Sequence, residues 1–206
     1  MPQTNRQTSK LLSLFLLVLV FAAPCAAQTT PQTTPPWEIF VGYSLQRSDV
    51  REYFKTSPII YASRGGYVNL NGWDASVTEN INHWFGGTID FSGHYKSPVV
   101  ANTTNREQMY SIMYGPRFSR RTAWVTPYFH ALFGAAHADV KVTPTGPRAS
   151  DSSFAAATGG GLDLNLGNKT AIRLFQAEYF RTSLLGTRQD GLRASAGIVF
   201  HLGKKK

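Results

Sequence analysis

The sequence predicts an all-β protein, an eight-stranded antiparallel up-and-down transmembrane β-barrel. Three observations carry that expectation. Segments of ten or so residues alternate apolar and polar side chains with period 2, about twice the length of an ordinary strand. Their connections are alternately short and long. Only 16% of the 206 residues are charged while 13% are aromatic, against about 25% charged in typical soluble domains.

The N-terminus precedes the alternating pattern. Arg6 and Lys10, the apolar run "LLSLFLLVLVFAAP" and the small residues before Gln28 read as a secretory signal over 1–27. Pro24 stands where a lipobox before Cys25 expects a small residue, which weakens a lipoprotein reading. If Cys25 leaves with the leader, no cysteine remains for disulfides or thiol catalysis. Residues 28–36, "QTTPQTTPP", form a Thr/Pro linker, 37–203 the barrel and 204–206 a basic tail. Past the leader no run approaches the roughly 18 apolar residues of a membrane helix, whereas a membrane strand needs only about 9–11.

Without the leader the chain carries 19 basic against 12 acidic residues. Export argues against nucleic acid as the partner; anionic outer-membrane lipids and lipopolysaccharide phosphates fit both charge and compartment.

Each strand follows from its alternation. "WEIFVGYSLQ" places Trp37, Ile39, Val41 and Tyr43 on one face, and "GWDASVTEN" sets Trp73, Ala75 and Val77 against Asp74, Ser76 and Thr78. "WFGGTIDFSGHY" sets Phe85, Ile89 and Phe91 against Gly86, Thr88, Asp90 and Ser92. In "QMYSIMYGPRFS", Tyr110, Ile112, Tyr114 and Phe118 oppose Ser111, Met113, Gly115 and Arg117. "AWVTPYFHALFGAAHA" and "SFAAATGGGLDLNL" continue the pattern, with Phe129 and Phe133, then Phe154 and Leu162, on their apolar faces. "TAIRLFQAEYFRT" alternates poorly: a frame that turns Glu178 inward also turns Leu174 inward and Arg173 outward, unless a bulge intervenes. "GLRASAGIVFHL" closes the set with Leu192, Ile198 and Phe200 outward. The links "ENINH", "SRRT" and "GN" are short; those at 47–65, 96–106 and 140–151 are long and polar. This order suits tight turns on one rim and loops on the other.

A soluble sandwich would share the period, so the membrane reading rests on what the faces carry. Charges fall mid-strand on the polar face, where a narrow barrel would pair them inside. Arg117 and Arg193 are expected to pair with some of Asp74, Asp90 and Glu178 and plug the lumen, with Arg117 the first partner expected for Asp90. Trp37, Trp73, Trp84, Tyr95, Trp124 and Tyr179 lie near strand ends, as interfacial girdles do. Gly86, Gly115, Gly134, Gly159, Gly161 and Gly197 share the inward parity, where an eight-stranded barrel is short of space.

The blocks "GPRFS", "PYFHALFG", "IRLFQAEYF" and "ASAGIVFHL" resemble the small outer-membrane β-barrel family related to the transmembrane domain of outer membrane protein A, over Trp37 to Leu202. The resemblance implies an outer-membrane location and a last-strand signal for the barrel assembly machinery, filled here by Ser195, Gly197, Phe200 and Leu202. "GKKK" after Leu202 departs from members that stop at an aromatic, and no peptidoglycan-binding domain is expected to follow.

No metal spacing links the histidines, and no cofactor is expected. Lone His94, His130 and His201 read as lumen hydrogen-bonders. "TGGGLD" lacks the Lys-Ser/Thr ending of a phosphate cradle. A lipid-modifying enzyme of the outer membrane is a rival class, but His130 has only Tyr128 and Leu132 beside it on its face, not a serine. The expected function is therefore non-enzymatic: a monomer with a structural or surface-interaction role, in membrane integrity or in adhesion to an extracellular ligand through loops such as that bearing Tyr53, Phe54 and Ile59. A narrow porin and a soluble ligand-binding β-barrel are the alternatives.

Overall fold

The computed structural model describes residues 34–49, 67–96, 99–100, 103–143, 148–183 and 188–203. The signal segment, most of the linker, the basic tail and the first-loop residues Tyr53, Phe54 and Ile59 lie outside the described residues.

Eight strands form a closed antiparallel barrel: β1 Trp37–Asp49, β2 Tyr67–Asn80, β3 Phe85–Lys96, β4 Thr103–Ser119, β5 Val125–Thr143, β6 Arg148–Asn165, β7 Thr170–Thr182 and β8 Gln189–Leu202. Sequence neighbours pair throughout, β1 pairs with β8, and the ring has no free edge. That closure pairs the backbone groups that lipid could not satisfy. A two-residue extension, Val99–Val100, pairs with Thr103 and Thr104 at the start of β4.

The short turns are held by side chains suited to them. Asn82 Oδ1 accepts from the backbone N–H of Trp84 and Phe85 at 2.9 and 2.8 Å, so the amide completes a turn the backbone cannot close alone. At the next turn, Thr122 Oγ1 donates to the carbonyl of Val125 at 2.7 Å. On the opposite rim β5 and β6 run further than the sequence suggests. The expected loop 140–151 is largely ladder, with Lys141 opposite Arg148, because Val140, Val142 and Thr143 are strand formers and the alternation continues through them.

Pleat and burial agree. Ile89, Phe91, Ile112, Phe133 and Phe154 are exposed on the outer face, while Asp90, Ser92, Met113 and Leu132 are buried inside. The poorly alternating strand contains a bulge. Arg173 pairs with Asp163 and Gly197, Gln176 with Gly161 and Ser195, so one extra residue lies between them. Leu174 and Phe175 consequently both face outward, 49% and 53% exposed, while Arg173, Gln176 and Glu178 are all buried. A bulge shifts the side-chain parity by one, which lets both ends of β7 point their polar groups inward.

Inward glycines mark close approaches between strands. At Gly115 a Cβ would run into the Ala131 carbonyl of the neighbouring strand, and at Gly159 it would sit 2.6 Å from the Glu178 Cα. Because the obstacle is backbone, it cannot swing aside. Gly115→Val is expected to destabilise the barrel by about 1–3 kcal/mol or more, read as a lower urea midpoint in liposomes; a midpoint equal to that of the native chain would refute the close approach.

Candidate functional site in the barrel lumen

The inward side chains form layers. Near the short-turn rim Phe40, Ala171 and Val199 make a small apolar cluster. Toward the long-loop rim Met109, Met113, Leu132, Ala155, Ala157 and Phe180 make a larger one. Charged groups occupy the space between and extend past Phe40 to the short-turn rim, where Glu38 meets Arg121.

Two linked ion-pair clusters form there. In the first, Arg117 bridges Glu38 and Asp163, each at 3.1 Å. Arg173 meets the same Asp163 at 2.8 Å, and Arg121 reaches Glu38 from the turn at 2.5 Å. The Tyr128 ring lies between the guanidiniums of Arg117 and Arg173, 4.0 and 4.5 Å from its centroid, so its π-face supplements the carboxylates. In the second, Arg193 donates through Nε to Glu178 Oε2 at 2.6 Å and through Nη2 to Asp90 Oδ1 at 2.9 Å. Its Nη1 donates to Ser92 at 2.9 Å, and His130 Nε2 lies 2.8 Å from the other oxygen of Glu178.

Gln176 joins the clusters. Its Oε1 accepts from Arg173 at 2.7 Å and Tyr128 at 2.6 Å, while its Nε2 donates to Asp74 at 3.1 Å and Glu178 at 3.0 Å. All four hydrogen-bonding positions of the amide are used. Ser195 Oγ donates to the same Asp74 oxygen at 2.8 Å and lies 3.0 Å from Ser44 Oγ.

The five charges singled out in sequence, Asp74, Asp90, Arg117, Glu178 and Arg193, are all buried inside the barrel, but their pairing corrects the expectation. Asp90 bonds Arg193, across the lumen, and not Arg117 on the adjacent strand. Arg117 turns instead to Glu38 and Asp163. Asp90 lies opposite Met113 in the ladder, whereas Arg117 lies opposite Gly86, four residues away along β3 and nearer the short-turn rim. Adjacent strands do not imply adjacent side chains.

Sequence reasoning gave no site role to Glu38, Tyr128 or Gln176 and left the facing of Arg173 open. The signal for Glu38 was available: Trp37, Ile39 and Val41 are outward, so its own parity is inward. Arg173 required the bulge.

The remaining candidates are distributed over the wall. Trp37, Trp84 and Trp124 are exposed near the short-turn rim, with Trp84 stacked on Phe118 at 6.0 Å. Toward the other rim Trp73 Nε1 donates to Tyr95 Oη at 3.2 Å, and Tyr179 is outward and 41% exposed. Gly197 lies inward opposite Gly42 on β1, while Phe200 and Leu202 face outward. A serine–histidine contact that no sequence spacing revealed, Ser44 Oγ to His94 Nε2 at 2.9 Å, has both residues 0% exposed, and His94 Nδ1 has no partner. It lacks both an acid to orient the imidazole and access for a lipid substrate. Among the described residues no group of three or more His, Cys, Asp or Glu could hold a metal ion.

The model of the outer membrane protein beta-barrel domain family matches residues 13–200. The chain belongs to that family. Its fold is shared by solved β-barrels. Ail, the attachment invasion locus protein of Yersinia pestis, solved in complex with the heparin analogue sucrose octasulfate, is 22% identical, with a TM-score of 0.56 over 81% of this chain and 99% of that one. Neisserial surface protein A is 14% identical, with a TM-score of 0.58 over 81% and 97%. No curated protein matches the chain in sequence. Family membership makes this a transmembrane barrel of the outer membrane, and the outward Phe, Ile and Leu side chains form its lipid face.

Proposed function

We propose that this outer-membrane barrel is a closed scaffold that presents its long loops at the cell surface for adhesion, with a lumen plugged by its paired charges. The leader 1–27 is removed on export, the residues at 28–36 link from the periplasm, and the short turns face that side. The last strand, through Ser195, Gly197, Phe200 and Leu202, engages the barrel assembly machinery. Trp37, Trp84 and Trp124 sit at the periplasmic interface and Trp73, Tyr95 and Tyr179 at the outer one.

The observation that carries the plug is Arg193, whose side chain is 0% exposed at the centre of the lumen. Had a water-filled channel passed it, its surface would be accessible. A charge so placed is stable only when paired on every side, which Glu178, Asp90 and Ser92 accomplish. The loop role is supported by the fold shared with a protein named for attachment and invasion.

The purified protein in planar bilayers is expected to show no stable, well-resolved conductance; a reproducible single-channel level would replace the plug with the narrow porin. In cells it is expected in the outer-membrane fraction, with different gel mobility before and after boiling. Exchange of residues 51–65 for a Gly/Ser linker is expected to lower attachment of expressing cells to a host-cell layer severalfold. Unchanged attachment would overturn the adhesive role of that loop.

A further inference from the structure

We propose that Tyr95 and Tyr110, on the outward face of β3 and β4 toward the long-loop rim, are a site of oxidative modification that joins them ring to ring as a dityrosine. The co-reactant is a one-electron oxidant drawn from hydrogen peroxide, of the kind a haem peroxidase supplies.

The ladder builds the pair. Gly93 stands opposite Trp73 on one side and Tyr110 on the other, with Tyr95 two residues further along β3, so Tyr95 and Tyr110 are diagonal neighbours on the outward face. Diagonal positions lie about 7–8 Å apart, within reach of aromatic rings. Gly93 leaves the row open: a Cβ there would fall 2.7 Å from Trp73 Nε1 and 2.8 Å from its Cε2. The indole therefore lies over the glycine and donates its N–H to Tyr95 Oη at 3.2 Å. With one lone pair of that oxygen engaged, the Tyr95 hydroxyl meets on its other side the Tyr110 hydroxyl, which is close enough to interact. The two rings sit edge to face, with centroids 5.6 Å apart and planes inclined at 80°. Among the described residues no other two tyrosines are in ring contact.

A phenol that gives up an electron and its hydroxyl proton leaves a radical shared between the oxygen and the two ring carbons beside it. Those ortho carbons flank the hydroxyl, so neighbouring hydroxyls bring the reactive edges of both rings together. The χ2 torsion of tyrosine is broad, which lets the rings turn into contact. Each tyrosine loses one electron and one proton, a carbon–carbon bond forms between ortho positions, and the two ring hydrogens shift to the oxygens to restore both phenols. The two electrons and two protons reduce one hydrogen peroxide to two waters. Tyr110 and Trp73 are 39% and 42% exposed, so the oxidant meets the cluster from outside the barrel, and the indole bonded to Tyr95 is itself oxidisable. Other exposed tyrosines have no such partner: Tyr43 Oη donates to Asn71 Oδ1 at 2.9 Å, and Tyr114 covers Gly87, which offers no ring. The link staples β3 to β4 beneath residues 97–102 and holds the ends of that connection together.

The test uses the full chain refolded in detergent micelles, oxidised with hydrogen peroxide and a haem peroxidase and then digested with trypsin. Cleavage after Lys96 and Arg106 separates the peptide that carries Tyr95 from residues 107–117, which carry Tyr110 and Tyr114. The oxidised native chain is expected to yield these two peptides joined, two hydrogens lighter than their sum and with dityrosine fluorescence. Y95F and Y110F are each expected to lower the joined product about tenfold or more, the least expected when a held pair is lost. Y114F, altered in the same peptide as Tyr110, is expected to retain it. Phenylalanine keeps the ring packing, and heat-modifiable mobility checks that each variant folds. Should one not fold, the native chain oxidised in urea is the second measurement and is expected to lose the link likewise. Absence of the joined peptide from the folded native chain overturns the site, and so does a joined peptide that survives Y95F or Y110F or forms equally in urea. Joined peptides confined to cross-linked dimers overturn it too, since the rings would then couple between molecules and not within one.

Discussion

Replacing Arg193 with methionine is expected to cost the barrel about 3–5 kcal/mol, the range for removing one partner from a buried ion pair. Arg193 is the cation bonded to Asp90, and it holds both oxygens of Glu178. Glu178 retains His130 and Gln176 after the substitution, so the larger part of the penalty falls on Asp90. Equilibrium unfolding in urea, with the protein in liposomes, measures it. The triple variant D90N/E178Q/R193M removes the whole charge set and is expected to recover at least half of the loss, since a neutral interior replaces an uncompensated one. A single variant within about 0.5 kcal/mol of the native chain, the range of ordinary surface substitutions, would mean that the central pairs do not hold the lumen together.

Deleting Leu174 is expected to damage the barrel more than any substitution at that position. The residue is the additional one in β7, and without it a single parity must serve the whole strand. If the upper half keeps its frame, Arg173 turns outward and Asp163 loses its 2.8 Å partner. If the lower half keeps its frame, Gln176 and Glu178 turn into lipid and the central cluster loses its main carboxylate. Either outcome strips one partner from a buried ion-pair cluster and puts a charged group on the lipid face, together more than about 4 kcal/mol. The expected readout is loss of the heat-modifiable folded band on gels. Leu174→Ala preserves the bulge and should fold, because the side chain points outward and packs no lumen group. A deletion variant as stable as L174A would show that β7 does not need the extra residue.

These two predictions separate what could be read locally from what could not. The alternation from Phe85 to Tyr95 assigns each side chain to a face because the period of a strand is two, and the structure keeps every one of those assignments. Strand 7 resisted for the same reason: one extra residue reverses the parity, and neither Leu174 nor Phe175 carries a mark that shows where. The expected pairing of Asp90 with Arg117 failed on a different point. Adjacency of strands was legible, but the vertical offset between the residues depends on register, and the actual partner reaches across the barrel from β8.

The amino-acid sequence by itself determined the strand number, which residues of the regularly alternating strands face lipid and which glycines face inward, because pleat and burial act over a few neighbouring residues. Only the tertiary structure decided which carboxylate meets which guanidinium and where the bulge lies. Each depends on the relative placement of distant segments. Gln176 and Asp74 are 102 residues apart in sequence and 3.1 Å apart in the lumen, a proximity created by closure of the sheet.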